Sequence, residues 1–222
     1  EMVGRTMLYL GKNSKQVVRV FCGLAQQIKA SSWICFIRHG ITEGNLSQWY
    51  YGNEDLPLVD EGKEALKKLI DEGIYPTAKD PDFYTTGLCR TEETLELIYG
   101  SKEHSKVEDL KEMNFGIYEC KPYEALKKEP NFNSWINDET GDIEFPKGES
   151  RNQFVKRVTK GLMKIKGNHK LKELSHSQSG KETASIVVCH GGVMSTIMSQ
   201  LFPETKKNMW EWMPEPGHGY IV

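Results

Sequence analysis

At 222 residues the chain has the length of one ordinary domain, enough to bury a core and build a pocket in it without disulfide or metal staples. Its 29 Lys and Arg against 31 Asp and Glu leave a formal charge of -2, and the basic residues are spread along the chain, which argues against a nucleic-acid partner. Five scattered cysteines without a C-x-x-C pair point away from a disulfide framework and toward a reducing, cytoplasmic setting, and no apolar run approaches the roughly 20 residues that cross a bilayer, so no membrane partner is expected.

The first 32 residues carry Arg5, Lys12, Lys15, Arg19 and Lys29 against Glu1, and read as a structured extension in preference to a targeting peptide. From Val17 the apolar positions Val17, Val18, Phe21, Leu24, Ala25 and Ile28 recur at helical spacing, with Ser14 placed to cap the first turn, which predicts a helix. The alternative is a hairpin of Thr6 to Leu10 with Gln16 to Cys22 about Gly11 and Asn13, favoured by Gly23 inside the proposed helix.

Residues 33–222 form the expected catalytic domain. Ser32 to Ile37, Asp82 to Thr86 and Ser185 to Cys189 are short apolar or β-branched runs that stop abruptly at polar or glycine residues, which predicts strands. Helical patterns fall at Asp60 to Glu72, Cys89 to Tyr99, Asn152 to Ile165 and Val193 to Leu201, and Tyr220-Ile221-Val222 resembles a strand cut short. Strand alternating with helix predicts an α/β fold with a mainly parallel sheet. In such sheets ligands sit beyond the carboxyl ends of the strands, where Arg38-His39-Gly40, Arg90 and His190-Gly191-Gly192 emerge. Pro122 to Gly148 is polar and rich in turn residues, yet carries Tyr123, Phe132, Trp135 and Phe145, so a lid over the pocket is expected around 118–148. Trp49, Tyr50 and Tyr51 either line the pocket mouth or pack against that lid.

Displacing a phosphoryl group takes an in-line nucleophile, cations about the equatorial oxygens and an acid for the leaving oxygen. His39 directly follows a strand and is the candidate nucleophile, with Gly40 expected to let a phosphate approach the ring. A neutral imidazole attacking through one nitrogen needs its other N–H held by an acceptor, which the backbone near Gly40 can supply. Arg38, Arg90 and a charged His190 would neutralise the phosphate, and the passage into Gly191-Gly192 would offer free helix N-terminal amides to an anion. Glu112 is the candidate acid, with Glu108, Asp109 and Glu119 as rival carboxylates nearby.

Arg38-His39-Gly40-Ile41-Thr42-Glu43-Gly44-Asn45 resembles the R-H-G-x-T-x-x-N signature of the histidine phosphatase superfamily, which includes the cofactor-dependent phosphoglycerate mutases. Asp55-Leu56-Pro57-Leu58 with Gly62, Thr86-Gly87-Leu88-Cys89-Arg90 with Thr94, Gly148-Glu149-Ser150 and Cys189-His190-Gly191-Gly192 follow in the family's order, so the likeness spans Trp33 to about Phe202. It implies three α/β/α layers of the phosphoglycerate mutase type, His39 as nucleophile, Glu112 as proton donor, and Arg38, Asn45, Arg90 and His190 as phosphate ligands. Thr85-Thr86-Gly87 departs from the family's frequent Ser-Ser-Pro, and Thr91 and Leu95 from frequent alanines.

The expected activity is therefore phosphomonoester hydrolysis of a small molecule through a phosphohistidine, without metal or other cofactor. A phosphoglycerate mutase using bisphosphoglycerate is the alternative, disfavoured because Tyr118 to Gly148 lacks the mutases' arginine-rich, proline-rich insert. A non-catalytic phosphate or phosphopeptide binder is the third reading, disfavoured because no catalytic position is substituted. His104, His169, His176 and His218 have no ligand spacing and read as solvated surface residues.

Overall fold

The computed structural model describes residues 19–20, 31–177, 179–205 and 209–222. In chain order it runs β1 (Arg19–Val20), β2 (Ser32–Arg38), α1 (Glu43–Leu46), β3 (Trp49–Tyr50), α2 (Asp60–Asp71), β4 (Asp82–Thr85), α3 (Cys89–Tyr99) and β5 (Ser105–Lys106). After two 3-10 turns at Glu108–Leu110 and Gly116–Tyr118 come β6 (Lys121–Pro122), α4 (Tyr123–Leu126), α5 (Pro130–Ile136), α6 (Arg151–His176), β7 (Thr183–Cys189), α7 (Gly191–Leu201) and β8 (Gly219–Ile221).

Six strands form one sheet in the order β1-β8-β2-β7-β4-β5, with β2, β7, β4 and β5 parallel, β8 antiparallel to β2, and β1 antiparallel to β8 at the edge. Both central strands are near-continuous apolar runs, β7 buried at every position, as a sheet covered on both faces requires. Alternation along β2 sorts its side chains: Trp33, Cys35 and Ile37 pack with Leu95 and Ile98 of α3 and Leu69 of α2, while Ile34 and Phe36 pack with α6 and α7 through Val158, Ile165, Val193 and Ile197. Helices therefore cover both faces, and the architecture is the expected three-layer α/β/α type.

Several boundaries differ from expectation. Arg19–Val20, placed by spacing inside a helix, instead pairs with Ile221 and Tyr220 of β8, where an unpaired strand edge offers backbone partners that the local periodicity does not reveal. The remainder of the predicted helix, and of the alternative hairpin, lies outside the described residues. Helix α6 continues eleven residues past Ile165. Its inward positions run Val158, Leu162 and Ile165 and then reach His169, a buried imidazole bonded to Ser32 Oγ and Ser185 Oγ at 2.9 Å each, so His169 is not the solvated surface residue expected. The core stripe continues with a polar member, which hides it from an apolar pattern.

Gly40 also has another reason than the one expected. A Cβ there would lie 2.7 Å from Leu66 Cδ1, so the missing side chain lets α2 seat against the end of β2 and is not a passage for phosphate.

Candidate active site

The two imidazoles come together because β2 and β7 are parallel neighbours in register, Arg38 opposite Cys189, so the residues after each strand emerge side by side. The His39 N–H donates to Cys189 O at 3.0 Å, and the ring centroids of His39 and His190 lie 5.2 Å apart at an interplanar angle of 63°. His39 Nδ1 lies 2.7 Å from Gly40 O, which can only accept, so the proton sits on Nδ1 and the Nε2 lone pair is free. Burial first, then the fields of Arg90 and Arg38, hold the His39 pKa well below the ordinary imidazole value, with the Gly40 contact opposing them.

His190 is fully buried behind this ring. Its Nδ1 accepts from Arg90 Nε at 3.3 Å and its Nε2 donates to Thr86 Oγ1 at 3.0 Å. The expected charged His190 is thereby corrected: burial first, then the positive fields of Arg90 and Arg38, push its pKa well down, and both nitrogens are engaged by protein groups. The Arg90 Nε–H, which can only donate, fixes the tautomer, and Thr86, at the departure from the family's Ser-Ser-Pro, accepts the remaining N–H.

Arg38 and Arg90 both line the cavity. Arg38 donates from Nη1 to Pro214 O at 2.7 Å, and its buried Nε has no hydrogen-bond partner among the described residues. Arg90 is anchored by Gly52 O at 2.8 Å and Glu54 O at 2.7 Å, with its guanidinium 5.1 Å from the Tyr51 ring centroid. One turn on, Thr94 Oγ1 accepts from Gly40 N at 2.9 Å, so α3 fixes the arginine and the His39 turn together. Asp55 accepts from Cys89 N at the start of α3, the local role of its loop motif. Asn45 lines the cavity while its Oδ1 accepts from Thr42 N and Thr42 Oγ1, which leaves Nδ2 as the atom able to donate to a ligand.

Of the four neighbouring carboxylates, Glu112 alone lines the cavity. Glu108 pairs with Lys111 and Asp109 with Lys160, while Glu119 accepts backbone bonds from Gly52, Asn53, Glu54 and Phe115. Glu112 Oε1 accepts from Met113 N at 2.9 Å and Oε2 from Gly192 N at 2.8 Å. The amide of Gly192 is thus held by a carboxylate and is not free for an external anion, which corrects the expectation at the α7 N-terminus; Gly191 lines the cavity beside it. Burial raises the Glu112 pKa against the lowering pull of those two amides and of Arg90 and Arg38.

The loop bearing Glu112 is clamped from behind by residues that sequence reasoning missed or assigned a lesser role. Arg157 donates to the carbonyls of Asp109, Lys111 and Glu112 at 3.1, 2.8 and 3.2 Å, and to Glu149 Oε1 at 2.5 Å. Glu149 Oε1 also accepts from Asn114 N at 2.9 Å, while Ser150, not Glu149, caps α6 through a capping box with Gln153.

Outside this polar floor the cavity, about 560 Å³, is walled by Trp49, Tyr50, Phe115, Phe154, Val155 and Met213. The expected lid contributes Trp135 and Ile136 to the cavity wall, and its Phe132 and Phe145 are buried in the core against Tyr118. Trp49, Tyr50 and Tyr51 do both things foreseen for them: all line the cavity, and Tyr50 packs edge-on against Phe115 and Phe132. Arg151 also lines it, a residue the sequence reading passes over; its spacing from Phe154 and Val155, three and four residues, was the available signal.

The sequence pattern of the histidine phosphatase superfamily (branch 1) matches residues 34–222. The adenosylcobalamin/alpha-ribazole phosphatase of Escherichia coli K12 is 27% identical over 191 residues, 82% of this chain and 84% of that protein. The phosphoglycerate mutase-like protein 4 of Arabidopsis thaliana is 27% identical over 179 residues, 78% of this chain and 73% of that one. Among solved structures, the alpha-ribazole phosphatase from Shigella flexneri superposes with a TM-score of 0.62 at 25% identity, covering 83% of this chain and 87% of that one.

Proposed function

This chain belongs to the histidine phosphatase superfamily, and from that premise we propose that it hydrolyses phosphomonoesters of small molecules through a phosphohistidine at His39. One observation carries the reading: the Nδ1–H of a buried, neutral His39 is pinned on Gly40 O, beside two guanidiniums and a carboxyl whose pKa burial raises. Nε2 attacks phosphorus, and Arg38 and Arg90 take up charge on the equatorial oxygens, helped by the Nδ2 of Asn45. Glu112 gives its proton to the departing alkoxide. A water then attacks the P–N bond, yields its proton to the Glu112 carboxylate, and inorganic phosphate leaves with both residues restored.

No metal or bisphosphoglycerate is assigned a step, and the scattered cysteines without a C-x-x-C pair support a cytoplasmic setting; no helix among the described residues is long and apolar enough to cross a membrane. A mutase acting on a small hydroxy acid is the lesser reading, because Tyr118 to Gly148 holds no arginine and no Pro-Pro run where the mutases carry their arginine-rich, proline-rich insert. Rapid alkaline quenching during turnover of para-nitrophenyl phosphate is expected to trap phosphate on His39 that survives alkali and is released by acid. His39→Ala should abolish both trapping and turnover, and retained activity in that variant overturns the proposal.

A further inference from the structure

Three guanidiniums line the cavity, Arg38, Arg90 and Arg151, but a phosphoryl dianion answers only two of them. Arg151 comes from the start of α6 and not from the strand ends that carry the histidines, and its Cζ lies 5.5 Å from the ring centroid of Trp135 in the aromatic wall. Its Nε and Nη2 are buried and make no hydrogen bond among the described residues. The nearest acid, Asp138, is 4.0 Å from Nη2 and already accepts from Thr140 N, Thr140 Oγ1 and Ile143 N, contacts that push its pKa down to about 2. Arg151 is also the first residue of α6, where the helix dipole disfavours a cation. With Nε and Nη2 buried while the side chain as a whole is 37% exposed, Nη1 is the donor that an anion entering the cavity can reach, on a positive group kept at this helix start against the dipole.

Resting on the phosphatase reading above, we propose that Arg151 is a specificity-determining residue for substrates whose leaving alcohol has an extended flat or apolar body and ends in a second anionic group. The body lies along Trp49, Tyr50, Phe115 and Phe154, and the far carboxylate or phosphate meets Arg151.

The test compares kcat/KM for phenyl, naphthyl and biphenyl phosphates carrying either a terminal carboxylate or the isosteric carboxamide, in the wild type, Arg151→Gln and Arg151→Lys. In the wild type the carboxylate is expected to be preferred by about tenfold for the pair of matching length, the scale of one charge-assisted hydrogen bond. Arg151→Gln should erase that preference and Arg151→Lys keep part of it. No preference at any length, or the same preference in Arg151→Gln, overturns the proposal. Failure of the wild type to turn over any aryl phosphate counts against the phosphatase reading alone, because calorimetric Kd values for the same pairs then give the carboxylate-to-carboxamide ratio without catalysis.

Discussion

Glu112 can donate a proton only while burial outweighs the two backbone amides and two arginines that favour its ionised form. Its requirement depends on what leaves. Glu112→Gln is expected to lower turnover of alkyl phosphomonoesters by roughly 10²–10⁴, the usual worth of a positioned acid, and to affect para-nitrophenyl phosphate much less because nitrophenolate leaves unprotonated. In the wild type, kcat/KM for an alkyl ester should fall as pH rises through the raised Glu112 pKa, a limb that Glu112→Gln removes; pH–rate profiles for the two ester classes decide this. A subtler variant tests position without changing charge. A Cβ on residue 192 would lie 2.5 Å from Glu112 Oε1, so Gly192→Ala should displace the carboxylate and cut alkyl-ester turnover while the melting temperature stays near that of the wild type, the obstructing atom being the end of a flexible side chain. At this scale the sequence was informative about identity and silent about partners. His39, Arg38, Arg90 and Glu112 could be picked out by type and motif, and they share one cavity. Nothing local to His190 tells that Thr86 and Arg90 occupy both its nitrogens.

Among the elements, α6 joins three tasks. Ser150 starts it, Arg151 faces the outer cavity, and Arg157, two turns along, holds the carbonyls under Glu112. Arg157→Met keeps the aliphatic stem but removes every one of those donors. It is expected to raise amide hydrogen exchange across 109–114 and to reduce kcat for alkyl esters more than for para-nitrophenyl phosphate, whereas a purely structural loss would reduce both alike. The periodic elements were legible where apolar spacing was clean: α3 has the predicted bounds, and α2 and β4 each stop one residue early. Spacing misled where tertiary partners decide, as at Arg19–Val20 against β8 and at His169 in the inward stripe of α6. The clamp was unreadable because Arg157 binds main-chain carbonyls, which any sequence supplies.

For the whole molecule, burying neutral imidazoles makes stability depend on pH. His39, His190 and His169 all have folded pKa values lowered chiefly by burial, so the unfolded chain takes up protons near pH 6.5 that the folded protein refuses. Their contribution is present above that pH and is lost as pH falls through it, each imidazole steepening the slope by about 1.4 kcal/mol per pH unit until its folded pKa is reached. Glu112 acts in the opposite sense above the unfolded carboxyl pKa, but it is one group against three. The urea midpoint is expected to drop between pH 7 and pH 5, and His190→Asn should flatten that drop; an unchanged midpoint across the interval contradicts the burial of neutral rings. The layered α/β plan was readable from alternating strand and helix patterns, whereas the depth of the outer cavity was not, since it depends on how Trp135 and Phe154 meet across segments distant in sequence.

The register between β2 and β7 has a kinetic consequence. Arg38 and Cys189 are neighbours in space but come from opposite ends of the fold, so closing this pair is among the costliest loop closures available to the chain. During synthesis the strand that leads to His39 leaves the ribosome well ahead of β7, and the ring stays solvated and unpaired with the second imidazole until Cys189 follows. Under the proposed mechanism, phosphoryl transfer therefore waits on the docking of β7, and a nascent chain stalled before that strand is inert toward phosphate esters.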